Sequence, residues 1–165
     1  MLREEQLPGR VKISLFCMMI KLNLPPYDCV VKKENGKVFI LDQIRKKYLV
    51  LTPEEWVRQH FINYLISDLK YPKALMKIEG GLTFNKLSKR SDIVVFNRDG
   101  EPWMIVECKS PSQKLSRSTL HQASVYNHTL KARYLTVTNG LGHICCEVNW
   151  SEGTTEVLKE LPAFN

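Results

Sequence analysis

Long apolar runs are what this 165-residue chain most clearly lacks. A helix needs about 20 consecutive apolar residues to cross a bilayer, and nothing in the sequence approaches that, so it reads as a cytoplasmic protein with no membrane partner. The opening "MLREEQLPGRVKISLFCMMI" has an apolar stretch but no small-residue cleavage site, which argues against a secretory leader. Cysteine is sparse and odd in number: Cys17, Cys29, Cys108, Cys145 and Cys146, with no C-x-x-C pair. Cys145 and Cys146 are neighbours in a strand-like run, so their side chains point to opposite faces. A disulfide framework and a zinc site are both excluded, and a reducing compartment fits. The sequence has no G-x-x-x-x-G-K-[ST], no H-E-x-x-H and no G-x-S-x-G. These gaps remove the P-loop ATPases, the zinc proteases and the serine hydrolases of that type. Repeats, low-complexity tracts and linkers are missing too.

Acidic residues are outnumbered. Lys and Arg total 24 against 17 Asp and Glu, a formal net charge of +7. A polyanion is therefore the first partner to test, against the plainer reading of a basic surface that aids solubility. The length suits one domain with a real core. Residues 1–22 read as an N-terminal extension and 23–165 as that domain.

"DCVVKKENGKVFILD" (28–42) predicts a hairpin turning at Asn35-Gly36. "LTPEEWVRQHFINYLISDLKYP" predicts a helix, with Thr52 as N-cap, Pro53 at the first helical position and Glu55 completing a capping box. Val57, Phe61, Leu65 and Leu69 form its buried stripe. "ALMKIE" and the runs on either side of Asp99-Gly100 predict strands, "STLHQASVYNHTLKA" a second helix capped by Ser116 or Ser118, and "RYLTVTNG" and "HICCEVNW" two more strands. A short helix is expected near "TTEVLKEL". A strand, the second helix and "YLTVTN" make a β-α-β unit. The class is α/β, with a mixed central sheet flanked by helices.

The chemistry concentrates in "SDIVVFNRDGEPWMIVECKSP" (91–111). With Asp99-Gly100 as a two-residue type I′ loop, Arg98 faces Glu101, Phe96 faces Trp103, Val94 faces Ile105 and Asp92 faces Glu107. The two acids then share one face with Cβ atoms about 4.5–5.5 Å apart, and Lys109 points the same way. Ile93, Val95, Met104, Val106 and Cys108 make the other face. Opposed like charges repel, and burial worsens this. Either a divalent cation bridges the acids, or Arg90 and Lys109 neutralise them as an ion-pair cluster. A site of two carboxylates that keeps its waters suits Mg²⁺ and phosphate-ester hydrolysis. In that reading Lys109 positions or helps deprotonate the attacking water, or stabilises the transition state, and the carbonyl of Cys108 is a further ligand.

Asp92 with "ECK" resembles the PD-(D/E)xK nuclease superfamily. "LTPEEWVRQHFINYLI", "KRSDIVVF", "IVECKSP", "HQASVYN" and "YLTVTNG", in that order, resemble the N-terminal nuclease domain of type I restriction enzyme R subunits over roughly residues 23–150. The resemblance implies a restriction-endonuclease-like core, a DNA endonuclease activity, Mg²⁺ with Mn²⁺ as a substitute, and DNA and other restriction or defence subunits as partners, a dimer included. It implies Asp92 and Glu107 as metal ligands, Lys109 as the catalytic lysine, and Gln122 and Tyr126 as the family's Q-x-x-x-Y. It also implies an accessory acid from the first helix, Glu54 or Glu55. Glu54 is preferred because it lies nearer the centre of the Phe61/Leu65 stripe. Arg58, one turn on, is placed to pair with a carboxylate or a phosphate. Lys89, Arg90, Arg58, Lys114, Arg117 and Tyr126 are the expected nucleic-acid contacts. Ser91 stands where the superfamily has proline. With no motor motif in the sequence, a stand-alone domain is expected.

Overall fold

The computed structural model describes residues 20–80 and 91–164. Most of the 1–22 extension, together with Lys89 and Arg90, lies outside them. The first strands, β1 (Val31–Glu34), β2 (Lys37–Asp42) and β3 (Lys47–Val50), form a small antiparallel sheet. Asn35 (φ 49°) and Gly36 (φ 75°) are both left-handed, as a type I′ turn requires. β3 is a strand that the sequence reading did not anticipate. No Asn-Gly announces its turn; instead Asp42 Oδ1 accepts the N–H groups of Ile44 and Arg45, both at 2.8 Å.

Helix α1 (Pro53–Ser67) starts where expected, and Thr52 Oγ1 accepts the Glu55 N–H at 3.1 Å. The return half of the expected capping box is replaced, because the Glu55 carboxylate reaches forward to Arg58 and Gln59. Val57, Phe61 and Leu65 are fully buried. The helix ends at Ser67, so Leu69 packs from the turn beyond it. No described helix is long and apolar enough to cross a membrane.

The main sheet has the order β4 (Met76–Gly80), β5 (Ser91–Phe96), β6 (Pro102–Cys108), β7 (Tyr134–Thr138), β8 (His143–Asn149), β9 (Thr154–Leu158). Helix α2 (Arg117–Leu130), capped by Ser116, connects β6 to β7, which pair in parallel. This is the expected β-α-β unit. The last element corrects the sequence reading: "TTEVL" is a strand, β9, paired from Asn149↔Thr154 to Cys145↔Leu158. Its β-branched Thr154, Thr155 and Val157 favour extended backbone, and a tight turn at Gly153 (φ 67°) returns the chain onto β8.

Helices cover the sheet from opposite sides. Ile93, Val95, Met104, Val106 and Cys108 pack in one apolar cluster with Val57, Phe61 and Leu65 of α1 and with Ile40 of the small sheet. Ile105, Leu135 and Val137 pack in a second cluster with Ala123 of α2. The β5–β6 hairpin is therefore covered on both faces, as its composition predicted. Cys145 lies deep in the sheet and its neighbour Cys146 is fully buried.

The turn of that hairpin differs from expectation. Of Asp99 and Gly100, only Gly100 has positive φ (83°), so the turn is not type I′. The Asn97 N–H donates to the Glu101 carbonyl at 2.8 Å, and Asn97 Oδ1 accepts from the N–H groups of Asp99 and Glu101. Asn97, not Arg98, faces Glu101, and Phe96 pairs with Pro102 rather than Trp103. A bulge between Val95 and Phe96 absorbs this one-residue slip, so Val94↔Ile105 and Ile93↔Val106 pair in the expected register. The two departures cancel before the strands reach the acids.

Candidate functional site

β5 begins and β6 ends at the same edge of the sheet. Asp92 precedes the paired Ile93, and Glu107 follows its partner Val106. Asp92 Oδ2 accepts the Cys108 N–H at 2.7 Å, and Oδ1 accepts Arg58 Nη2 at 2.6 Å. Glu107 Oε1 accepts Lys109 Nζ at 2.7 Å. The Lys109 backbone N–H is tied to the Thr138 carbonyl at 2.8 Å, which anchors the strand end to β7. The side chains of Asp92, Glu107 and Lys109 retain 16%, 26% and 16% exposure, buried enough to interact strongly and open enough to be reached.

The charges act on one another. Burial pushes the Glu107 carboxyl up, and the negative charges of Asp92 and Glu54 push further, against the opposing pull of Lys109. Burial draws the Lys109 ammonium down, but the hydrogen bond and charge of Glu107, with Asp92 and Glu54, outweigh it and leave it raised. Lys109 is thus a firmly held cation. Burial dominates at Cys108, whose thiol is pushed well up, with the charges of Asp92, Glu107 and Glu55 adding to it; its side chain packs on the α1 face while its backbone N–H bonds Asp92.

The two α1 acids divide differently from expectation. Glu54 is exposed rather than inward-facing, although its charge reaches Glu107 and Lys109. Glu55 is the buried one: Oε2 accepts Arg58 Nη1 at 2.7 Å and Oε1 accepts Gln59 Nε2 at 2.9 Å. Burial raises the Glu55 carboxyl despite Gln59, Arg58 and Arg45, which pull it down. Of the two partners open to Arg58, carboxylates are the ones it meets. Arg58 is thus a cation that pairs with Asp92 among the described residues; Arg90, considered for that role, lies outside them.

On α2, Gln122 is exposed, while Tyr126 is half-buried against the Ile105–Leu135 cluster. Lys114 and Arg117 are exposed on the loop after β6 and the first turn of α2. The structure also uses residues that the sequence reading passed over. Asn139 Nδ2 holds the Gln113 carbonyl at 2.9 Å, fixing the loop that follows Lys109, while its Oδ1 accepts the N–H groups of Leu141 and Gly142. The Glu55–Arg58 pair had a signal in its i, i+3 spacing.

Among the described residues no three His, Cys, Asp or Glu side chains converge as a ready-made metal cage. A cation such as Mg²⁺, held by one or two carboxylates and several waters, would need only Asp92 and Glu107 from the side chains here. Each carboxylate oxygen has a second lone pair beyond its present hydrogen bond.

No curated protein matches the chain. Among solved structures, it is similar to the fragment structure of a putative HsdR subunit of a type I restriction enzyme from Vibrio vulnificus YJ016. The identity is 25% and the TM-score 0.36, over 53% of this chain and 16% of that one. The chain thus spans less than a fifth of that protein's length. The family described as the type I restriction enzyme R protein N terminus matches residues 53–162. The match starts later and ends later than the resemblance over 23–150, leaving β1–β3 outside and including β9. Because it takes in both helices, the whole six-stranded sheet and every described candidate residue, the chain belongs to the family of type I restriction enzyme R protein N termini.

Proposed function

We propose that this chain is a Mg²⁺-dependent nuclease domain that hydrolyses DNA phosphodiester bonds. The observation that carries the reading is that Asp92 and Glu107 flank the Ile93–Val106 pair at one end of β5 and β6, near enough for the Asp92 charge to raise the Glu107 carboxyl, with Lys109 bonded to Glu107 at 2.7 Å. Two half-buried acids whose charges oppose each other form a place where a divalent cation relieves repulsion. Asp92, Glu107 and the Cys108 carbonyl are the proposed ligands, with Glu54 as the accessory acid, because its charge already acts on Glu107. Bound there, Mg²⁺ or Mn²⁺ supplies positive charge beside a phosphate and lowers the pKa of a coordinated water.

The chain's own groups do the rest. Lys109, held by Glu107 at 2.7 Å, has the part of positioning or helping to deprotonate the attacking water, or of offsetting charge building on the phosphate. Gln122, exposed on α2, is the proposed contact for the scissile phosphate or Lys109. Lys114 and Arg117 hold the flanking backbone electrostatically, and Tyr126 seats the helix that carries Gln122.

The test is cleavage of plasmid DNA by the purified chain. Nicking or cutting is expected with Mg²⁺ or Mn²⁺ and none in EDTA. Asp92→Ala, Glu107→Ala and Lys109→Ala should each lower the rate by about 100-fold or more while the circular-dichroism spectrum stays native. Cutting that survives EDTA or all three substitutions rules the mechanism out. DNA binding without cutting on any substrate would leave a silent binding or assembly module of the same fold.

A further inference from the structure

Arg58 lies between two carboxylates. Nη2 is 2.6 Å from Asp92 Oδ1 and Nη1 is 2.7 Å from Glu55 Oε2. Glu55 is itself held by Gln59, which is fully buried. The Arg58 side chain is only 10% exposed, so its charge is weakly screened. A guanidinium does not lose its proton in proteins. With Cys108 N–H on the other oxygen of Asp92 at 2.7 Å, that carboxylate is fixed at both ends. It therefore carries a permanent positive neighbour before any other cation arrives.

We propose that Arg58 is a positioning residue that orients Asp92 for a divalent cation while lowering the affinity of the Asp92–Glu107 pair for that cation, and that Glu55 moderates its charge. The inference rests on Asp92 and Glu107 being the metal ligands. Its consequence is a sign. Arg58→Met removes positive charge beside Asp92, so the cation binds more tightly. Glu55→Gln leaves the whole Arg58 charge on Asp92, so the cation binds more weakly. A strut with only a structural role would shift both variants the same way.

The experiment is Mn²⁺ binding to the full chain without nucleic acid, followed by electron paramagnetic resonance of the free ion. Relative to wild type, Arg58→Met should bind at least about threefold more tightly and Glu55→Gln at least about threefold more weakly. Arg58→Met strands a buried Glu55 and is the variant most exposed to misfolding. The neutral pair Glu55→Gln/Arg58→Met therefore serves as the second measurement, and should bind more tightly than Glu55→Gln alone. Shifts of the same sign in the two single variants, or a double variant no tighter than Glu55→Gln, overturn the role of Arg58 and leave the metal site standing. Wild-type binding that is absent, or unchanged by Asp92→Ala, overturns both the role and the nuclease reading.

Discussion

Glu107 is the residue on which pH should act most directly. Its carboxyl is raised by burial first, then by Asp92 and Glu54, and Lys109 compensates only in part. A raised folded-state pKa means that the folded protein binds this proton more tightly than the unfolded chain does. The resulting stability is fully present below the ordinary carboxylate range and is lost as pH rises through the raised value. Glu107→Gln mimics the protonated form. In EDTA it should match wild type in thermal midpoint at about pH 4 and exceed it at about pH 8. Added Mg²⁺ should then raise the wild-type midpoint and leave the variant unmoved. Equal midpoints across the whole range would show that the folded protein does not raise the Glu107 carboxyl. That Asp92, Glu107 and Lys109 lie at one end of the β5–β6 hairpin was legible from strand alternation, although the expected turn was off by one residue and a bulge restored the register. That Arg58 would pair with a carboxylate was legible, but not that it would join Glu55 to Asp92. The helix spacing of Glu55 and Arg58 shows that they can meet, but a pattern of apolar positions carries no record of which strand end a long side chain reaches.

Elements place the site, and their joints are where it is weakest. Phe61 is fully buried between α1 and the sheet, so Phe61→Ala should destabilise the protein by about 3–5 kcal/mol in urea unfolding. The β7–β8 turn is a subtler joint. Gly140 has φ +78°, and a Cβ there would come within 2.7 Å of a Leu22 methyl and 3.2 Å of Val57 Cγ2 on α1. Its carbonyl also accepts the Asn23 N–H at 2.8 Å. Gly140→Ala should cost about 1–3 kcal/mol from left-handed strain and overpacking together; a loss near zero would show that Leu22 moves aside freely. The helices were readable because caps and stripes are local signals, as Thr52 and Ser116 illustrate. The misread elements were those that long-range pairing decides. "KYLV" and "TTEVL" become strands because β2 and β8 offer them open edges, and neither edge is visible from the short segment itself. The Asp99-Gly100 turn shows the converse, a wrong local reading rescued by a bulge three residues away.

At the scale of the whole molecule, the net charge of +7 and the acidic pair pull in opposite directions on a nucleic-acid backbone. In the proposed reading Lys114 and Arg117 would attract it and Asp92 and Glu107 would repel it, so a cation between the acids would serve both as catalyst and as electrostatic bridge. This separates binding from cutting. In EDTA, duplex DNA binding should weaken steeply as salt rises, and Lys114→Ala/Arg117→Ala should flatten the log–log slope by roughly two counterions. Glu107→Ala in the same buffer should bind DNA at least as tightly as wild type, since one repulsive charge is gone, although it cannot cut. Fluorescence anisotropy of a labelled duplex measures both. If Glu107→Ala instead loses binding, the phosphate backbone does not pass the acids, and the basic surface serves some contact away from this end of the sheet.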